Sequence, residues 1–67
     1  LIVQLRVELA ERDMSQQELA AALDMPAGTV SRYMKGHRSI PMPTFFRIAD
    51  ILGVPAKALM ERAEARL

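Results

Sequence analysis

SQQELAAALDMPAGTVSRYMKGHR, Ser15 to Arg38, reads as two short helices joined by a tight turn. Ser15 and Glu18 stand at capping-box spacing: the Ser hydroxyl accepts from the backbone near Glu18, and the Glu carboxylate reaches back to the cap. Met14 and Leu19 flank that cap as a hydrophobic staple. Leu19, Ala20 and Leu23 make one apolar face, and the small Ala20 lets a second helix cross close by. Asp24 ends the first helix at a turn that needs one positive φ, which Asp tolerates. Pro26 stops the first helix and suits the first turn of the next. That second helix is expected from about Pro26 to Lys35, with Gly36 as its C-terminal cap. Its spacing turns Val30, Tyr33 and Met34 inward and leaves Thr29, Ser31, Arg32 and Lys35 mainly outside. Two helices this short do not stand alone, so the flanking sequence must complete a core of three helices or more.

A helix pair with so short a turn is the general form of the DNA-binding helix-turn-helix, here spanning residues 15–36. Several separated pieces go further and resemble the Cro/repressor-like, or xenobiotic-response-element, helix-turn-helix family. They are Ser15-Gln16-Gln17-Glu18-Leu19-Ala20, Thr29-Val30-Ser31-Arg32-Tyr33, Lys35-Gly36-His37-Arg38, Thr44-Phe45-Phe46-Arg47-Ile48-Ala49 and Leu52-Gly53-Val54, in that order. The resemblance covers roughly Leu5 to Leu59 and implies an all-α, compact five-helix bundle of the lambda repressor-like type. Three departures stand out. Asp24 replaces the family's usual Gly, and Pro26, Pro41 and Pro55 stand where it usually has a Ser cap. Gly28 occupies an outer position that often carries a longer polar side chain.

The 67 residues are enough for one domain, with a core of marginal stabilising power. Cysteine is absent, which removes disulfides and thiolate metal sites and fits a reducing cytoplasm. An apolar content of 51% is too high for a disordered chain. No apolar run approaches the ~18 residues that cross a bilayer. The opening Leu-Ile-Val, interrupted by Gln4 and Arg6, is too short for a signal peptide. The chain starts at Leu1, as a trimmed protein or a piece of a longer one does. Net charge is only +1, but its distribution is uneven. Carboxylates occur up to Asp24 and again from Asp50. Between Met25 and Ala49 stand Arg32, Lys35, Arg38 and Arg47, formally +4, together with His37. A basic face on a nearly neutral domain suits phosphate binding; the plain alternative is a solvated polar surface.

The remaining elements are expected as follows. Leu1 to about Arg12 forms a first helix on a Leu1, Leu5, Leu9 stripe with Ile2. Glu8 and Arg12 make an i,i+4 pair in the favourable order, worth a few tenths of a kcal/mol. Arg6 reads as a solvated surface residue, with a phosphate contact as the alternative. Ile40 turns inward after the second helix of the pair. Pro41 and Pro43 keep Met42 extended, and a fourth helix follows from about Pro43 to Leu52. Phe45, Ile48, Ala49 and Leu52 are its core face, and Gly53 is its αL cap. Pro55 opens a fifth helix to about Arg66, in which Leu59 closes the core. Met60, Ala63 and Leu67 continue its apolar stripe, as a dimer contact with a second copy or as a frayed tail.

In the helix-turn-helix docking mode the second helix of the pair lies in the major groove and its N-terminal residues reach base edges. The candidate base contacts are therefore Ala27, Gly28, Thr29, Ser31 and Arg32. Arg32 is the strongest, because its planar fork matches guanine O6 and N7. The alternatives for Arg32 are a phosphate grip or an ion pair with Glu18. Gln16 and Gln17 begin the first helix of the pair, where free N–H groups and the positive dipole end favour phosphate. The family resemblance adds Lys35, His37, Arg38 and Thr44 as phosphate contacts that set affinity and register. Nothing implies a cofactor or metal: the chain has one His, no Cys and no phosphate-cradling Gly loop, and an enzyme is not expected. The rival reading is an antitoxin or adaptor, with DNA binding secondary and the fifth helix as protein-partner surface. The basic outer face argues for the first reading, since an adaptor does not need one.

Overall fold

The computed structural model describes residues 1–65. It is all-α, with α1 Ile2–Glu11, α2 Gln16–Leu23, α3 Ala27–Met34, α4 Met42–Leu52 and α5 Ala56–Ala65. α2 packs against α3 and α4, while α1 packs against α3 and α5, and α5 closes onto α4. The core between them is Leu5, Leu9, Leu19, Leu23, Val30, Met34, Phe45, Ile48, Leu52, Val54 and Leu59, with the small Ala20 and Ala49 buried among them.

Both halves of the predicted capping box are present: Glu18 N–H donates to Ser15 Oγ at 3.0 Å, and Ser15 N–H donates to Glu18 Oε1 at 3.1 Å. Asp24 takes the left-handed conformation, at φ 57° and ψ 45°. The ends of α1 to α4 share one device. A residue with positive φ follows each helix: Asp13, Asp24, Gly36 and Gly53. Its own amide and the next then turn back onto the last turn, as Asp13 N–H does to Ala10 O and Met14 N–H to Leu9 O, and Asp24 N–H to Ala21 O and Met25 N–H to Ala20 O. This double return satisfies carbonyls that a helix end leaves without partners. Met14, Met25 and Val54 each follow such a turn and pack in or against the core, supplying the apolar contact of the same motif.

Three expected helix starts shift by one residue. Pro26 is the N-cap of α3 rather than its first residue, at φ −60° and ψ 138°. Pro41 is likewise the N-cap of α4, so Met42 is helical and not extended. Pro43 sits inside the first turn, where its missing N–H is one that a helix leaves unbonded anyway. Ala56 is the first residue of α5. Lys35 closes α3 as its C-cap, with Gly36 beyond it.

α1 departs most from expectation. It starts at Ile2, Leu1 is 47% exposed, and its buried face is Gln4, Leu5, Glu8 and Leu9. The Glu8–Arg12 pair forms, at 2.8 Å, but its carboxylate is buried: the Glu8 side chain is 1% exposed, so the few tenths of an ordinary i,i+4 pair do not describe it. Glu8 Oε1 accepts from Arg12 and Arg62, and Oε2 accepts from Gln4 and Arg62. Burial pushes the Glu8 carboxyl up, but the hydrogen bonds from Arg12, Arg62 and Gln4 outweigh it and hold it below the ordinary 4.5. A buried carboxylate is expensive to bury unless every lone pair is used, and these four bonds meet that condition.

Arg6 is not simply solvated. Its Nη2 donates to Met34 O. Arg12 Nε donates to Leu52 O at 3.1 Å, and Arg47 Nη2 to Leu23 O at 2.6 Å. Met34, Leu52 and Leu23 are the last residues of α3, α4 and α2. Each of these helices thus ends on a guanidinium from another helix, a charge well placed at the negative end of a helix dipole.

Candidate nucleic-acid interface

α3 is held from behind. Val30, Tyr33 and Met34 are each at most 4% exposed, which leaves the rest of a two-turn helix for the outside. Ala27, Gly28 and Arg32 are exposed, and Thr29 and Ser31 are half-buried at the margins of the inner stripe. The last two are more sheltered than their spacing implied. Gln16 and Gln17 are exposed in the first turn of α2; Lys35, His37 and Arg38 are exposed where the chain leaves α3; Thr44 is half-buried. α2 and α3 pack directly against each other, and Ala20 is buried on the inner face of α2.

The cations divide by what their side chains bond. Arg6, Arg12 and Arg47 hold carbonyls, and Arg12 and Arg62 hold Glu8. Among the described residues, Arg32, Lys35 and Arg38 make no side-chain hydrogen bond or ion pair. Glu18 is occupied with its own cap, so the Arg32–Glu18 pairing does not form. Arg47 was part of the basic stretch by sequence, but its guanidinium is committed to the end of α2. The unengaged cations of that stretch are therefore the three in and directly after α3.

The fifth-helix residues are separate from this group. Met60 is 39% exposed, Ala63 is half-buried, and both line a shallow groove with Leu1 and Glu64. Leu67 lies outside the described residues. By its spacing Phe46 could be core or partly exposed; it is about half exposed, and Met42, one helical turn away on α4 and unremarked by spacing, is about half exposed beside it. Their i,i+4 spacing opposite the Phe45, Ile48, Ala49 stripe was the available signal. Among the described residues no cluster of His, Cys, Asp or Glu is arranged to hold a metal ion, and no helix is long and apolar enough to cross a membrane.

A capped helix, a left-handed turn, and a second helix with a free polar face and unpaired cations define a helix-turn-helix DNA-binding domain. The family model described as "Helix-turn-helix" matches residues 4–59, and the chain belongs to that family, in its Cro/repressor-like branch. It is a DNA-binding helix-turn-helix regulator, from a family of regulatory domains and not of enzymes. No curated protein and no solved structure matches the chain.

Proposed function

We propose that the protein reads a specific duplex sequence as a transcriptional repressor, with α3 in the major groove. The observation that carries this is the grouping of cations. Arg32, Lys35 and Arg38 stand unpaired together in and directly after α3, while Arg6, Arg12, Arg47 and Arg62 are bonded within the fold. Lys57, the other unpaired one among the described residues, stands by itself on α5. Ala27, Gly28, Thr29, Ser31 and Arg32 approach base edges. Arg32 donates to guanine O6 and N7, a contact worth about 1–3 kcal/mol of discrimination. Gln16, Gln17, Lys35, His37, Arg38 and Thr44 hold phosphates on either side.

The longest dimension of the domain is 30 Å, short of the ~34–36 Å that separates half-sites one duplex turn apart. One copy therefore covers one half-site, and a two-fold pair reads the whole operator, with Met60, Ala63 and Leu67 at the contact between copies. Selection from a random duplex pool tests this directly. A consensus of two inverted half-sites is expected; a pool that stays random would remove the sequence-reading role and leave the adaptor reading in its place. On the selected site, Arg32→Ala should flatten the preference at one base pair, costing about 1–3 kcal/mol there. Lys35→Ala should weaken selected and random duplexes alike. Equal effects of the two variants on all sequences would assign Arg32 to a phosphate.

Gly28 offers a second check. A Cβ built there meets nothing within 4 Å, and its φ is not positive, so nothing inside the protein requires glycine. Glycine in a helix costs roughly 0.5–1 kcal/mol relative to alanine. Gly28→Ala should therefore raise the melting temperature, while a methyl at the α3–DNA contact weakens operator binding. Higher stability with unchanged binding would mean that the start of α3 does not lie against the duplex.

A further inference from the structure

Arg6 sits on α1, 28 positions from its partner, and its Nη2 donates to Met34 O. The other late carbonyls of α3 are taken by the chain itself: Ser31 O by Lys35 N–H, Arg32 O by His37 N–H and Tyr33 O by Gly36 N–H, each at 3.0 Å. Met34 O is the one that this return leaves over, and no later backbone amide reaches it. A guanidinium there does more than satisfy an acceptor. It joins α1 to the last turn of α3, from which the segment carrying Lys35, His37 and Arg38 departs. α3 has eight residues, about 12 Å at the usual rise, and its inner contacts fall on Val30, Tyr33 and Met34. A short rod gripped toward one end tilts when that grip loosens, and its far end moves most.

We infer that Arg6 is a positioning residue for DNA reading: through Met34 O it sets the tilt of α3 and the departure of the cationic loop, without touching DNA itself. This rests on the proposal that α3 reads the duplex. Base-edge contacts depend on register and angle, whereas phosphate attraction depends chiefly on charge. Loss of a positioning bond should thus damage the first and spare the second.

The test compares wild type with Arg6→Met, which keeps the stem and removes the donors, on the duplex selected from the random pool and on a random duplex. Binding is measured across a salt series, below the melting temperature of both proteins. Operator affinity should fall about tenfold, the scale of one charged hydrogen bond, with the salt slope and random-duplex affinity unchanged. A slope smaller by about 0.9, with both duplexes weakened, would make Arg6 a phosphate contact and overturn the inference. A lower melting temperature with both affinities unchanged would make it purely structural, and also overturn it. Wild type without any sequence preference would remove the underlying proposal and this inference with it. If Arg6→Met does not fold, proton exchange in the wild-type protein decides. The Arg6 guanidinium protons should exchange with water more slowly than those of Arg38, and equal rates overturn the assignment.

Discussion

Glu8→Gln is expected to cost about 3 kcal/mol at neutral pH, at the low end of the range for breaking a buried ion pair. The low end applies because one partner, Arg62, has a side chain 49% exposed and recovers water. The change is isosteric, so packing is kept and the chemistry alone differs. Both Glu8 oxygens accept two hydrogen bonds, from Arg12, Arg62 and Gln4. An amide supplies one oxygen; its NH2 group then faces donors and finds no acceptor among them. A chain of 67 residues has roughly 3–10 kcal/mol of stability in total, so the variant should sit close to unfolding. In a thermal melt the shift should be on the order of 15 °C.

The same site predicts an acid limb. The folded carboxyl lies below its ordinary 4.5 because Arg12, Arg62 and Gln4 outweigh burial. The unfolded chain therefore binds the proton first as pH falls. The stabilisation from Glu8 is complete above the unfolded value and is lost as pH falls through the folded one. Wild type and Glu8→Gln should thus converge in stability below pH 4.5. A gap between them that stayed constant from neutral pH through that window would show that the carboxylate's charge does not stabilise the fold.

Duplex affinity should fall steeply with salt, by an amount that counts copies. If Lys35 and Arg38 each neutralise one phosphate, the slope of log affinity against log salt is about −1.8 for one domain and about −3.6 for a two-fold pair. Between 50 and 200 mM salt that is roughly 12-fold for one copy and roughly 150-fold for two. Arg38→Ala should lower the slope by about 0.9 per bound copy. Binding that does not respond to salt would remove the phosphate assignments of Lys35 and Arg38 together. A slope near the single-domain value on a site of two half-sites would instead remove the paired assembly.

Local spacing made the helix pair legible. Ser15 with Glu18 marks a helix start, Asp24 before Pro26 marks a turn, and Gly36 marks an end. Each is a signal between residues within a few positions of one another, and all three appear where they were expected. The inner stripes of α2, α3 and α4 follow for the same reason, since a helix repeats its faces every three to four residues. The Pro starts were displaced by one residue because a proline accepts either the cap or the first turn at little cost.

What the sequence could not settle was the role of each arginine and of Glu8. In the string, Arg32 stands out by its place on the second helix of the pair, but nothing marks Arg6, Arg12 or Arg47 as partners of distant carbonyls. In the fold, Arg6 and Arg47 face carbonyls 28 and 24 positions away, Arg12 faces one 40 positions away, and Glu8 meets Arg62 across 54. The three carbonyl partners exist because helices end where they do and leave oxygens that no local amide satisfies; Arg62 reaches Glu8 because α5 packs against α1. The sequence by itself determined the five helices to within a residue or so at their proline starts, the Ser15–Glu18 cap and the family. Only the tertiary structure decided which cations are spent holding helix ends and which remain free, because a guanidinium's partner depends on where the crossing of two helices leaves an unpaired oxygen.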